Sequence, residues 1–161
     1  MSQTPSPLYK GTCSCKKVEF ETRGDPLFTQ YCHCHKCRSF TSQSVRKEDK
    51  RGYSHTAAYL RDHFEIMKGA DNLEEHPVKN SYLYLCKNCK SLIYGISQDK
   101  SQQQGIGINV SNFSFKEARL PESFNPIRHV YYGDRTVDMD DDLPKFVDFP
   151  SELGGSGERC D

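Results

Sequence analysis

Seven of the eight cysteines in this chain fall into three tight groups: Cys13 and Cys15; Cys32, Cys34 and Cys37; Cys86 and Cys89. Cys-x-Cys and Cys-x-x-Cys are too short for unstrained structural disulfides, but they suit a metal. Residues i and i+2 of an extended strand face the same way. Cys13 and Cys15 therefore offer two thiolates on one face, and so do Cys32 and Cys34. Cys86 and Cys89 form a two-ligand knuckle, while Cys37 adds a third ligand to Cys32 and Cys34. A structural zinc takes four closed ligands, whereas a catalytic zinc keeps three protein ligands and an open position. The seven cysteines divide without remainder into a closed site (Cys13, Cys15, Cys86, Cys89) and an open one (Cys32, Cys34, Cys37). The alternative for the second set is another structural zinc of Cys3His type. Its fourth ligand would be His33, His35 or, at longer range, His55, His63, His76 or His129. His33 and His35 alternate out of phase with Cys32 and Cys34, so a strand would point them away. The remaining histidines read as surface or turn residues, and Cys160 as an incidental free thiol.

Charge and compartment narrow the function. Lys and Arg total 22, as do Asp and Glu, so the formal net charge is zero. That argues against nucleic-acid or anionic-membrane binding. No apolar run is long enough to span a bilayer. Residues 1–10 lack a signal-peptide core, so the expectation is a cytoplasmic chain with reduced thiols. The hydrophobic fraction is only 35%, so metal staples would supplement a lean core.

The pattern is mainly β. Short strands are expected at 16–21, 27–31, 64–67, 82–85, 92–96, 106–110 and 129–132, largely antiparallel. The segments around Cys86 and Cys89 read as a hairpin wrapped around a metal. Residues 45–61, rich in Arg and Lys, look exposed; 70–77 reads as a polar loop and 143–149 as a short helical turn. Tyr82, Tyr84, Tyr94, Tyr131 and Tyr132 read as β core with no functional role. The domain is expected over 11–150, with a flexible lead-in at 1–10 and a disordered tail at 151–161.

An open three-thiolate zinc carries a net charge of −1, which blunts acidification of water. It can still hold an incoming thiolate. The implied chemistry is addition of a thiol to a carbonyl, or the reverse cleavage of a carbon–sulfur bond. His35, beside two candidate ligands, is a possible general acid/base, with a solvent-facing role as the competing reading. Lys36, Arg38 and the basic residues of 46–51 are candidates for holding substrate carboxylates, or simply a solvated basic face.

Gly11-Thr-Cys13-Ser-Cys15, then Cys32-His33-Cys34-His35-Lys36-Cys37-Arg38, then Cys86-Lys-Asn-Cys89-Lys-Ser resemble the glutathione-dependent formaldehyde-activating (GFA) enzymes, a group that includes centromere protein V. The tail His129-Val-Tyr-Tyr-Gly-Asp-Arg, followed by Asp141-Asp142-Leu143-Pro144-Lys-Phe146, is similar too. The resemblance implies antiparallel, β-tent-like sheets stapled by two zincs. Cys13, Cys15, Cys86 and Cys89 would be structural; Cys32, Cys34 and Cys37 would be catalytic. It also implies a carbon–sulfur lyase related to S-hydroxymethylglutathione synthesis, acting on a glutathione adduct or another small electrophile. The competing functions are a zinc lyase or dehydratase for a sulfur-free metabolite, and a non-enzymatic zinc-stabilised binding module. The chain departs from the pattern where Lys16 and Lys90 replace glycines and His35 stands at a common serine. Glycine supplies positive φ in such turns, so the two lysines imply locally altered loops.

Overall fold

The computed structural model describes residues 6–117 and 119–161, the Lys36 side chain excepted. Among the described residues the elements are β1 (Leu8–Thr12), β2 (Glu19–Arg23), β3 (Phe28–Cys32), helix α1 (His35–Thr41), β4 (Ser54–Leu60), β5 (Phe64–Lys68), β6 (Leu73–Pro77), β7 (Ser81–Cys86), β8 (Leu92–Ser97), β9 (Gly105–Asn109), β10 (Phe113–Ser114) and β11 (His129–Val130), with single 3-10 turns between them. They form a four-stranded sheet, β10-β1-β2-β5, and a seven-stranded sheet, β11-β3-β4-β9-β8-β7-β6. The fold is mainly β and antiparallel, as the sequence pattern indicates. The exception is β11, which lies parallel to β3 and pairs His129 with Tyr31 and Val130 with Cys32.

The core joins the two sheets. Phe20 of β2, Tyr59 of β4, Ile93 and Ile96 of β8, Ile106 and Ile108 of β9, and Phe113 and Phe124 bury together. Phe20 meets Phe113 edge to face at 5.2 Å, and Phe113 meets Phe124 at 5.1 Å. Each buried ring contributes roughly 1.5–3 kcal/mol.

Four segments differ from expectation. Residues 45–61 contain β4, a central strand whose alternation buries His55, Ala57 and Tyr59; the Arg and Lys that suggested exposure flank it, at 46–51 before and Arg61 after. The polar 70–77 stretch contains β6, which pairs with β7 at the sheet edge, where charged side chains are at home. Residues 143–149 form no helical turn. Lys145 instead bridges His129, and Phe146 bridges Arg159. The segment 151–161, whose Gly-Gly-Ser-Gly run suggests disorder, carries a 3-10 turn at Ser151–Leu153 and returns to the domain, where the Cys160 amide donates to the Lys145 carbonyl at 2.9 Å. Of the lead-in 1–10, residues 1–5 lie outside the described residues, and Leu8 to Lys10 belong to β1. No described helix is long and apolar enough to cross a membrane.

Candidate metal centres and cleft

Cys13 and Cys15 sit in the β1–β2 connection; Cys86 ends β7 and Cys89 lies in the turn to β8. The four sulfurs lie within 4.8 Å of one another, with Cys13–Cys15 at 3.5 Å and Cys15–Cys86 at 3.6 Å. A zinc–sulfur tetrahedron with bonds of about 2.3 Å has edges of about 3.8 Å, so the donor set fits zinc. One pair comes from each sheet, and an ion bound there would staple the two sheets together.

Groups around the sulfurs suit thiolates. The Val18 amide donates to Cys13 Sγ at 3.3 Å, Asn72 Nδ2 donates to Cys86 Sγ at 3.1 Å, and Ser91 Oγ lies 3.1 Å from Cys89 Sγ. Four packed thiols cannot all ionise unaided. Burial pushes Cys13 up to about 12. Burial also acts upward on Cys15, but hydrogen bonds, led by the Asn88 side chain and the Lys17 backbone, bring it down to about 6. A divalent cation favours the deprotonated form of all four.

The knuckle loops are not rearranged around their lysines. Lys16 and Lys90 themselves adopt the left-handed conformation, at φ 66° and φ 59°. Their amides close the turns onto the Cys13 carbonyl at 3.1 Å and the Cys86 carbonyl at 2.9 Å. The expected loop alteration is thus replaced by strain, because the turn geometry is set by where the sulfurs must converge. Lys90 offsets part of its strain through an ion pair with Glu74 at 2.6 Å.

Cys32 ends β3, Cys34 is the N-cap residue of α1 and Cys37 lies in its first turn. Among the described residues the group of ligand atoms that falls within metal-binding span is the four-cysteine one; Cys32, Cys34 and Cys37 interact with one another at the β3–α1 junction. The Cys34 hydrogen bond first, with burial added, pushes Cys32 up to about 12 against a lowering hydrogen bond from Cys37; hydrogen bonds from Cys32 and Cys34, with burial added, push Cys37 well above its ordinary value. Cys32 and Cys37 open onto a cleft of about 800 Å³, within the usual range for small-molecule sites. Ser54, Thr56 and Ala58, the half-exposed face of β4, line it, together with Gly95 and Gly107. These two glycines are cross-strand partners on β8 and β9. A Cβ at Gly107 would meet Thr56 Cγ2 at 2.9 Å, so the bare backbone keeps this wall of the cleft low.

His33, between Cys32 and Cys34, turns away from them as the strand phase predicts. Its Nε2 lies 2.9 Å from His129 Nδ1, and His129 Nε2 lies 2.8 Å from Asp141 Oδ2. Both imidazoles are fully buried. Donation from His129 Nε2–H to Asp141 leaves its Nδ1 to accept from His33 Nε2–H. His33 Nδ1 is then an unpartnered acceptor among the described residues. Burial, then His129, holds His33 down to about 4, so it stays neutral at pH 7. The chain His33–His129–Asp141, with Lys145 on Asp141 at 3.0 Å, pins the cysteine-bearing strand end to the C-terminal segment.

The other sequence candidates have structural positions. His35 is exposed on α1, with Arg38 Nη2 3.3 Å from its Nδ1, and does not line the cleft. Arg38 Nη1 donates to the carbonyls of His33 and Asp134, both at 2.6 Å. Arg46 donates to the carbonyls of Ser111 and Thr12, so it clamps loops rather than facing substrate. His63 and His76 lie away from the cysteines, on the Arg61–His63 turn and on β6. Sequence reasoning missed His55 and His129 as buried hydrogen-bonding groups, the exposed Asp141 as the partner of His129, and Tyr131 as a cleft residue. His55-x-Ala57-x-Tyr59 alternation was the available signal for the first; the other three depend on how the C-terminal segment packs.

The fold is similar to that of a Rhodobacter sphaeroides protein of known crystal structure. The two are 21% identical, with a TM-score of 0.53 over 75% of this chain and 99% of that one. No curated protein sequence matches the chain. The family model for the glutathione-dependent formaldehyde-activating enzyme matches residues 8–134, a stretch that holds all seven clustered cysteines, and the chain belongs to that family.

Proposed function

We propose that this protein is a zinc-dependent carbon–sulfur lyase, joining or releasing a small electrophile and a thiol, with glutathione the thiol its family points to. One observation carries the reading: Cys32 and Cys37 line a cleft of about 800 Å³, while none of Cys13, Cys15, Cys86 and Cys89 does, and three of those four are buried. In this reading Cys13, Cys15, Cys86 and Cys89 hold a structural zinc, and Cys32, Cys34 and Cys37 hold the catalytic one. The chemistry a zinc on those three thiolates would supply is a position where a fourth sulfur stays deprotonated at neutral pH. The chain's own residues shape the rest. Ser54 and Thr56 present hydroxyls to a bound adduct, and the Gly95–Gly107 pair leaves room for it. The His33–His129–Asp141 chain fixes the backbone between Cys32 and Cys34. His35, exposed on α1, is assigned at most a solvent-side proton exchange.

The test is isotope-exchange NMR with glutathione and ¹³C-formaldehyde. The native protein should accelerate interconversion of free aldehyde and S-hydroxymethyl adduct, and Cys37→Ser should return it to the uncatalysed rate. Equal rates with native protein and buffer, across a panel of small aldehydes, would defeat the reading.

A further inference from the structure

Tyr131 combines two observations that the cysteine chemistry does not use. It is an aromatic residue in the left-handed region, at φ 52° and ψ 33°, where bulky side chains are rare and strain is commonly tied to function. It also lines the cleft together with Cys32 and Cys37. The conformation is held from both sides. The Tyr131 amide donates to the Asp148 carbonyl at 3.0 Å, and the Asp134 amide donates to the Tyr131 carbonyl at 3.0 Å. Phe149 packs against the ring at 4.9 Å, edge to face.

Three phenols line the cleft: Tyr59, Tyr94 and Tyr131. Tyr59 donates its hydroxyl to the Gly24 carbonyl at 2.9 Å. Tyr94 stacks on Tyr84 at 4.5 Å, and its charged surroundings are Arg61 and Glu75. Tyr131 alone of the three directly follows Val130 of β11, which pairs with Cys32. Among the described side chains its hydroxyl has no hydrogen-bond partner. The adjacent Tyr132 is committed elsewhere, its hydroxyl accepting from the Met139 amide at 2.8 Å.

We infer that Tyr131 is a catalytic hydrogen-bond donor, its hydroxyl aimed at the substrate oxygen on the carbon that bonds to sulfur. The inference rests on the lyase reading for its chemistry. As the thiolate sulfur bonds to the carbonyl carbon, the C=O π pair moves onto oxygen. The Tyr131 O–H stabilises that developing charge, and the oxygen takes a proton from water in place of the one the thiol released to solvent. In reverse, the hydroxyl proton leaves, the C=O bond reforms and the C–S bond breaks. A donor placed where charge develops contributes more in the transition state than in the ground state. The left-handed backbone leaves Tyr131 in the lining of the cleft it shares with Cys32 and Cys37 while β11 stays paired with β3.

The experiment uses full-length zinc-loaded protein and two stable thioethers, S-(2-hydroxyethyl)glutathione and S-ethylglutathione, measured by calorimetry. The native protein should bind the hydroxyl-bearing ligand at least about 10-fold more tightly, the worth of one well-placed hydrogen bond. Tyr131→Phe, which keeps the ring on Phe149, should erase that preference with an unchanged melting profile. Tyr132→Phe should retain it. Equal affinity for the two ligands in the native protein, including no binding of either, overturns the assignment, and so does a preference that survives Tyr131→Phe. Turnover is a separate arm: Tyr131→Phe should lower kcat about 10²-fold. Intact ligand discrimination without native turnover would sink the lyase reading while leaving Tyr131 as the oxygen-recognising residue.

Discussion

Replacing Lys16 with glycine should stabilise the protein. Lys16 is exposed, sits at φ 66° and serves only to close the turn after Cys15. A left-handed conformation costs a residue with a Cβ about 1–2 kcal/mol. Glycine removes that cost but loses about 0.5–1 kcal/mol through the greater freedom of its unfolded chain. The net expectation is a gain of about 0.5–1 kcal/mol, or about 1–4 °C in Tm for a chain of this size. Lys16→Ala keeps the Cβ and should give no gain. Lys90 at φ 59° provides the internal contrast, because Lys90→Gly also removes the 2.6 Å ion pair with Glu74. Such a pair is worth about 0.2–1 kcal/mol, so Lys90→Gly should come out near neutral and regain its advantage in a Glu74→Gln background. The assay is thermal and urea unfolding at fixed, saturating zinc, since bound metal shifts apparent stability. If Lys16→Gly is no more stable than Lys16→Ala, the strain argument for both knuckles is wrong.

The two cysteine groups should respond differently to mutation. Cys86→Ser breaks the group that joins the two sheets, so it should yield insoluble or unfolded protein; a soluble Cys86→Ser variant with native melting would undo that assignment. Cys34→Ser should leave a folded protein that retains about half the bound metal and no activity, checked by elemental analysis and circular dichroism. Acid sensitivity should also trace to buried imidazoles. Burial holds His55 down to about 4 in the fold, against 6.5 unperturbed. The unfolded chain therefore takes up the proton first, and stability is lost as pH falls from about 6.5 to about 4. His55→Gln keeps a donor toward Thr29 but does not titrate. Its stability relative to the native protein should rise by about 2–3 kcal/mol across that window, measured by urea unfolding, whereas a constant difference would contradict the buried neutral imidazole.

How much was legible in the sequence depended on range. The cysteine spacings located the four-sulfur group because tight pairs have few other uses, and strand alternation located β2, β7, β8 and β9. The central strand β4 was obscured by its basic approach, whose Arg and Lys outweighed the His55-Ala57-Tyr59 alternation within it. The His33–His129–Asp141 chain had no local pattern at all: its members are 96 and 12 residues apart and meet only because β11 runs parallel beside β3. Tyr131 read as core for the same reason. Its left-handed backbone, set by contacts with Asp134 and Asp148, is what turns it into the cleft. Lys16 and Lys90 show the opposite case, where a local rule predicted a changed loop and the requirements of four converging sulfurs prevailed.

The central claim is that Cys32, Cys34 and Cys37 hold a metal with a position open to an incoming thiol, while the other four cysteines hold one that is closed. Cobalt substitution tests it most directly, because thiolate-to-cobalt charge-transfer absorption reports each sulfur ligand. Glutathione added to the dicobalt protein should increase that absorption in a saturable way, and the Cys37→Ser variant should lose the response while keeping the four-thiolate spectrum. A spectrum unchanged at saturating glutathione would contradict an open thiol-accepting site.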